Sequence, residues 1–231
     1  QKPAQQWNFC LRRPPPARLM TRVAGVRDNG LFAPITMPPQ LHWLEPDDPL
    51  PPPSHAWEHD APAPGLLAAG GALNVATLCA AYAQGTFPWY SHGQPILWWT
   101  PDPRMVLPVC EFRVHRSLRK TLRMFRASRH CEIRVDSAFK KVIRTCATKS
   151  REGQTGTWIV PDMINAYIDL HEAGHAHSVE TWIHGELVGG LYCVTLGRAV
   201  FGESMFSHTS DASKIALAAL VSLCRLHGVE M

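Results

Sequence analysis

Two hydrophobic periods alternate along this chain, and each switch between them marks an element. Leu78, Cys79 and Tyr82 recur at helical spacing behind Asn74, so the spacing predicts a helix capped by Asn74, running through Ala81 and stopped by Gly85. Phe87-Pro88-Trp89-Tyr90, a turn at Ser91-His92-Gly93 and a short apolar strand Ile96-Leu97-Trp98-Trp99 follow, and Pro101 and Pro103 end that strand. Farther on, Arg116, Arg119/Lys120, Arg123 and Arg126 step by three or four residues while Leu118, Leu122 and Phe125 occupy another face, which predicts an amphipathic helix. A strand at Cys131–Val135 comes next. Asp136 is then expected to cap a helix that turns Phe139, Val142, Ile143 and Cys146 inward. Pro161 opens another helix with Ile164, Tyr167 and Ile168 inward and Gly174 as its stop. The period then becomes two: strands are predicted at Ser178–Ile183, Leu187–Thr195 and Arg198–Gly202, with turns at His184-Gly185 and Leu196-Gly197. A long helix from about Asp211 to Leu226, stopped by Gly228, closes the pattern. An antiparallel meander feeding a helix, with helices before it, is an α+β layout of the kind found in acyl-CoA-type transferases.

Composition changes this picture mainly at the N-terminus. Residues 1–40, which do not open on methionine, carry Pro14-Pro15-Pro16 and Pro38-Pro39 and show no sustained period, so a disordered or extraneous extension is expected there. The proline-rich stretch Pro49–Pro64 still holds Trp57 and reads as an ordered irregular loop. No apolar run approaches the ~18 residues of a membrane span, and the first twenty positions are too polar for a signal peptide. Seven scattered cysteines without a C-x-x-C pair favour reduced thiols in a cytoplasm over a disulfide framework or a cysteine zinc site. The formal charge is +4, yet eight basic residues face Glu132 alone between Phe112 and Arg134, which leaves the rest of the chain net acidic. A cationic patch on an acidic background points to a polyanionic partner.

Several chemistries can be weighed on spacing. His171-Glu172-Ala173-Gly174-His175 satisfies H-E-x-x-H, but Gly174 ends the helix that both imidazoles would have to share, so no metal is expected. Ser204 sits in Gly202-Glu203-Ser204-Met205-Phe206, not in a nucleophile elbow. A CoA-dependent acetyltransferase needs a glycine-rich turn where this chain has Ser207-His208-Thr209-Ser210-Asp211. Trp89, beside a proline, and Trp158, after a glycine, are candidates for aromatic faces open to a base. Glu203 is the single carboxylate placed at a strand end before the final helix.

Seven segments occur in an order that carries a resemblance: 65–71 (GLLAAGG), 87–91 (FPWYS), 95–104 (PILWWTPDPR), 156–159 (GTWI), 170–180 (LHEAGHAHSVE), 186–192 (ELVGGLY) and 202–207 (GESMFS). Together they resemble the bacterial leucyl/phenylalanyl-tRNA–protein transferases, from about Leu41 to Gly228. The resemblance implies a small N-terminal domain at 41–102 and a GNAT-like aminoacyl-transfer domain at 103–231. It also implies a cytoplasmic, cofactor-free monomer that moves leucine, phenylalanine or methionine from charged tRNA to proteins beginning with Arg or Lys, marking them for N-degron degradation. Carried over by motif, Trp89 and Trp158 hold the terminal adenosine, while Arg116, Arg119, Lys120 and Arg123 grip the acceptor stem. Leu191, Met205, Leu217 and Leu220 line the side-chain pocket, and Glu203 faces the acceptor amine. The family's next strand bears an Asp/Gln pair, whereas this chain stops at Val229-Glu230-Met231. The resemblance therefore implies a truncated copy with weakened catalysis, or alternatively a tRNA-binding remnant without the chemistry.

Overall fold

The computed structural model describes residues 40–148 and 158–230. Among these the chain is a mixed α/β protein with five α-helices and two four-stranded sheets. The N-terminal sheet contains β1 (His42–Leu44), β2 (Leu66–Gly70), β3 (Phe87–Pro88) and β4 (Leu97–Trp99), in the order β1-β2-β4-β3. Helix α1 (Val75–Ala83) lies between β2 and β3, and the Asn74 side chain accepts the Thr77 N–H at 2.8 Å, as its spacing predicted. Gly70 has φ +87°, and a Cβ there would stand 2.4 Å from the Leu44 carbonyl, so only glycine lets β1 and β2 pair at this point.

The larger sheet is an antiparallel meander: β5 (Cys131–Val135), β6 (Ala176–Ile183), β7 (Glu186–Leu196) and β8 (Ala199–Ser207), paired in chain order. Helix α2 (Arg116–Ala127) precedes it; α3 (Phe139–Thr148) and α4 (Pro161–Glu172) fall between β5 and β6, and α5 (Ala212–Leu226) follows β8. One buried apolar cluster spans both sheets and joins Leu67, Leu78, Tyr82 and Trp98 to Val142, Tyr167, Tyr192 and Phe206. Leu191, Cys193 and Val179 alternate to the other face and pack under α5. Gly189 permits that contact: a Cβ there would meet the Ala212 Cβ at 2.5 Å.

Two elements differ from the pattern. Strand β8 runs to Ser207, five residues past the predicted end at Gly202, because Met205 and Phe206 continue the pairing with Leu191 and Gly190. Glu203 therefore lies inside a strand, not at its end. Asp136 does not cap α3: with φ +56° its carboxylate turns to accept the Ser178 N–H at 2.7 Å and meets the His177 Nδ1 at 2.8 Å. Glu180, buried on β6, serves the start of α3 instead, accepting the Ala138 N–H at 2.7 Å together with the Ser137 and Ser178 hydroxyls and the Trp182 indole. A carboxylate saturated by four donors tolerates burial, and sequence spacing could not have shown that β6 and the α3 entry meet.

Candidate active site and RNA-facing surface

Glu203 owes its direction to a break in register. Tyr192 opposes Ser204 and Cys193 opposes Gly202, which leaves Glu203 as the extra residue of a bulge. The bulge aims its carboxyl across the sheet toward α1 and α4. Tyr82 of α1 donates to one carboxyl oxygen at 2.7 Å. Tyr167 of α4 lies 2.5 Å from the Tyr82 hydroxyl and 3.5 Å from the second carboxyl oxygen. Each phenol has one proton, and that of Tyr82 is committed to Glu203. Tyr167 therefore donates to Tyr82, and the three groups form a relay, Tyr167 to Tyr82 to Glu203.

The electrostatics follow from this enclosure. Glu203 as a residue is only partly buried, but its carboxyl is wrapped by the tyrosines, and desolvation pushes its pKa up to about 7 against the opposing pull of Tyr82, Arg104 and Tyr167. Tyr82 and Tyr167 are raised well above the phenol range by burial first and by the Glu203 charge second. Tyr90, pushed up to about 12 by burial and Asp162, extends the group toward β3, its hydroxyl buried without a partner among the described residues. Phe201 packs on Tyr82 at 4.9 Å, and Tyr192 sits edge-on to Tyr167 at 5.7 Å. The arrangement holds a carboxyl that exchanges a proton near neutral pH inside an aromatic wall.

The other residues singled out from sequence fall into four places. Trp89 follows β3, is 49 % exposed, and is steadied by the Trp99 indole, which donates to its carbonyl at 2.7 Å. Trp158 is partly buried against the main core; the Gly156-Thr157 that precede it lie outside the described residues. Leu191, Leu217 and Leu220 pack together on the α5 side of the larger sheet, and Met205, the cross-strand partner of Leu191, is 42 % exposed. Glu203 points to the opposite side, so the acid and the apolar group meet only across β8. Arg116, Arg119, Lys120 and Arg123 are exposed on α2, whose Leu118, Leu122 and Phe125 turn inward, and none of the four pairs with an acid among the described residues. Arg134 differs: it binds Glu132 at 2.5 Å and stacks on Trp182.

Tyr82 and Tyr167 bear no functional mark in the sequence, and Arg104 stands only as the last residue of segment 95–104. The first two occupy core positions of amphipathic helices, and only the tertiary approach of α1 and α4 to the bulge reveals them. The apparent zinc motif resolves on geometry. Helix α4 ends at Glu172, Gly174 adopts φ +85°, and His171 Nδ1 engages the Ala176 carbonyl at 2.8 Å while its ring stacks on Phe139. His171 and His175 therefore share no helical face. No helix among the described residues is long and apolar enough to cross a membrane.

Comparison with known proteins adds a family pattern to this geometry. Residues 106–231 match the family described as leucyl/phenylalanyl-tRNA protein transferase, and residues 71–102 match the N-terminal domain of that family. The chain is 64 % identical over 195 residues to a leucyl/phenylalanyl-tRNA–protein transferase of Albidiferax ferrireducens, covering 84 % of this chain and 77 % of the relative. Likeness to the proteins of the same name from Polaromonas (62 % identity; 84 % and 76 % covered) and Methylibium petroleiphilum (60 %; 82 % and 72 %) is similar.

Proposed function

The chain belongs to the leucyl/phenylalanyl-tRNA–protein transferase family, and on that footing we propose that it moves leucine, phenylalanine or methionine from charged tRNA onto proteins beginning with Arg or Lys, marking them for N-degron degradation. Aminoacyl transfer from tRNA to protein is the reaction its relatives are named for, so the chemistry is aminolysis of an ester. The acceptor's α-amine attacks the ester carbonyl, a C–N bond forms, the bond to the ribose oxygen breaks, and that oxygen leaves with a proton. The amine must lose its own proton in the process.

The observation that carries this reading is the Glu203 carboxyl enclosed by Tyr82 and Tyr167, whose pKa burial raises to about 7 against the opposing pull of Tyr82, Arg104 and Tyr167. A group with that midpoint takes a proton from an ammonium at neutral pH and returns it readily. The terminal adenosine is assigned to Trp89 and Trp158, and the acceptor stem to Arg116, Arg119, Lys120 and Arg123. The amino-acid side chain is assigned to the apolar group of Leu191, Met205, Leu217 and Leu220. An ester lying across β8 then has its side chain toward α5 and its reacting centre toward Glu203. Positioning carries much of the rate in such a site. The larger region, 103–231, is proposed to be GNAT-like, with 41–102 as the smaller domain, and the protein to act as a cytoplasmic monomer without metal or organic cofactor.

The test is transfer of labelled leucine from charged tRNA to a peptide beginning with Arg, beside one beginning with Glu. Incorporation into the first alone is expected. Binding of the charged tRNA with no transfer to either peptide would reduce the chain to an RNA-binding protein.

A further inference from the structure

The segment after β4 contributes a side chain that closes segment 95–104 and that the proposed chemistry uses only as a nearby charge. Arg104 leaves the strand end and reaches over the Phe87 ring at 5.0 Å and the Phe201 ring at 5.3 Å. Its Nη1 donates to the Gly85 carbonyl at 2.5 Å, at the C-terminal end of α1 where carbonyls have no helical partner. Phe87 belongs to the N-terminal sheet and Phe201 to β8, so one guanidinium ties the two sheets together at the wall of the site. From there the contacts lead inward. Phe201 packs on Tyr82 at 4.9 Å, and Tyr82 donates to Glu203 at 2.7 Å. Phe201 and the bulge residue Glu203 both reach Tyr82 of α1.

We propose that Arg104 is a positioning residue for the transfer reaction: stacked between Phe87 and Phe201 and anchored on the Gly85 carbonyl, it fixes the Phe201–Glu203 stretch of β8 against α1 and places a permanent cation at the wall facing the Glu203 carboxyl. The role suits arginine in particular. Its flat guanidinium covers two rings while still donating hydrogen bonds, and it keeps its charge at every working pH. The groups acting on the Glu203 carboxyl are Tyr82 from α1, Tyr167 from α4 and Arg104 from the segment after β4; the Cys193 thiol of β7 lies on the other face of the sheet, under α5. Burial raises the carboxyl, the phenols and the cation lower it, and of these only Arg104 brings a full charge. It thereby opposes the desolvation that would otherwise keep the acid protonated beyond neutrality.

This inference rests on the reaction proposed above, and its test is arranged so that the two can fail separately. The full chain carries a 13C-labelled glutamate carboxyl, with Glu203→Gln identifying the resonance, and is titrated without RNA as wild type, Arg104→Gln and Arg104→Lys. Removing the cation should move the Glu203 midpoint upward by roughly half a unit or more, and lysine should return it toward the wild-type value. In leucine transfer, Arg104→Gln should lower kcat at neutral pH roughly fivefold or more and shift its acid limb upward, leaving KM for charged tRNA within about threefold. Lysine restores the limb but only part of kcat, because an ammonium cannot cover both rings. A merely structural role predicts instead that both variants melt earlier and keep the wild-type midpoint, and that result in folded protein overturns the assignment. A raised KM with unchanged kcat overturns it too, by making Arg104 an RNA contact. If the wild-type chain transfers no leucine, the proposed reaction fails, and the carboxyl midpoints alone decide the role of Arg104.

Discussion

The outer face of α2 and the wall around Glu203 use charge in opposite ways. On α2 four cations are exposed without acidic partners among the described residues, on an amphipathic helix resting on Leu118, Leu122 and Phe125. Around Glu203 one carboxyl is acted on by groups from three other parts of the chain, α1, α4 and the segment after β4, and its protonation is set by burial among them. A solvated charge keeps its ordinary properties and acts through number and spacing, which suits a repetitive polyanion. A desolvated charge acts through its changed acidity, which suits a proton transfer. The first needs local sequence only. The second needs the fold.

The sharpest way to break this contrast is Glu203→Gln. The amide keeps the size of the side chain and can still accept from Tyr82, but it cannot take a proton. We expect kcat for leucine transfer to fall about 10²- to 10⁴-fold, with the affinity for charged tRNA unchanged. A rate within about threefold of wild type would return Glu203 to the scaffold.

The same substitution reads out stability. The folded pKa of Glu203 is raised to about 7 from an ordinary 4.5, so the folded state binds the proton more tightly than the unfolded chain does. Its contribution is therefore fully present below pH 4.5 and is lost as the pH rises through about 7. The size is on the order of 2–4 kcal/mol between those limits. Chemical denaturation across that window should show wild type losing stability relative to Glu203→Gln. Parallel curves would mean that the carboxyl is better solvated than its enclosure implies.

How much of this was legible follows from the same contrast. The cap at Asn74, the limits of β5, the basic face of α2 and the turn at Gly174 depend on neighbours within a few residues, and the pattern carried them. Asp136 misled because the partner of the α3 entry, Glu180, lies forty-two residues away on β6. The bulge that turns Glu203 inward shifts pairing by one residue, which alternation along β8 alone cannot reveal. Tyr82 and Tyr167 looked like core because they are core; their hydroxyls became functional candidates only when α1 and α4 met over β8. Arg104 closes segment 95–104, but its approach to Phe201 of β8, almost a hundred residues on, is a tertiary contact that spacing does not show.

On the α2 side, Arg116→Glu combined with Lys120→Glu should weaken binding of charged tRNA by roughly 30- to 100-fold at low salt. The slope of log affinity against log salt should flatten by about one for each phosphate that is no longer neutralised. Different tRNA sequences should suffer alike, and kcat at saturation should hold. Unchanged affinity across a salt series would reduce the face of α2 to a solubility surface.

The smallest effect is expected at the β3–β4 hairpin. Trp89 and Trp98 belong to the same β3–β4 hairpin, yet Trp98 is 0 % exposed with its indole bonded to the Gly70 carbonyl at 3.0 Å, whereas Trp89 is 49 % exposed. The buried ring stabilises the fold, and the open one has a free π-face. Stacking of one base on an aromatic contributes about 1–3 kcal/mol, and a ring that offers a single accessible face belongs near the lower end. Trp89→Ala should therefore raise KM for charged tRNA about tenfold, leave kcat and melting temperature nearly unchanged, and be largely rescued by Trp89→Phe, since stacking needs a flat ring and not an indole N–H. Trp98→Phe should behave oppositely, lowering the melting temperature by stranding the Gly70 carbonyl while sparing KM. If Trp89→Phe is as poor as Trp89→Ala, the indole reads the RNA through its N–H and stacking is the wrong account. If both keep the wild-type KM, the adenosine sits elsewhere.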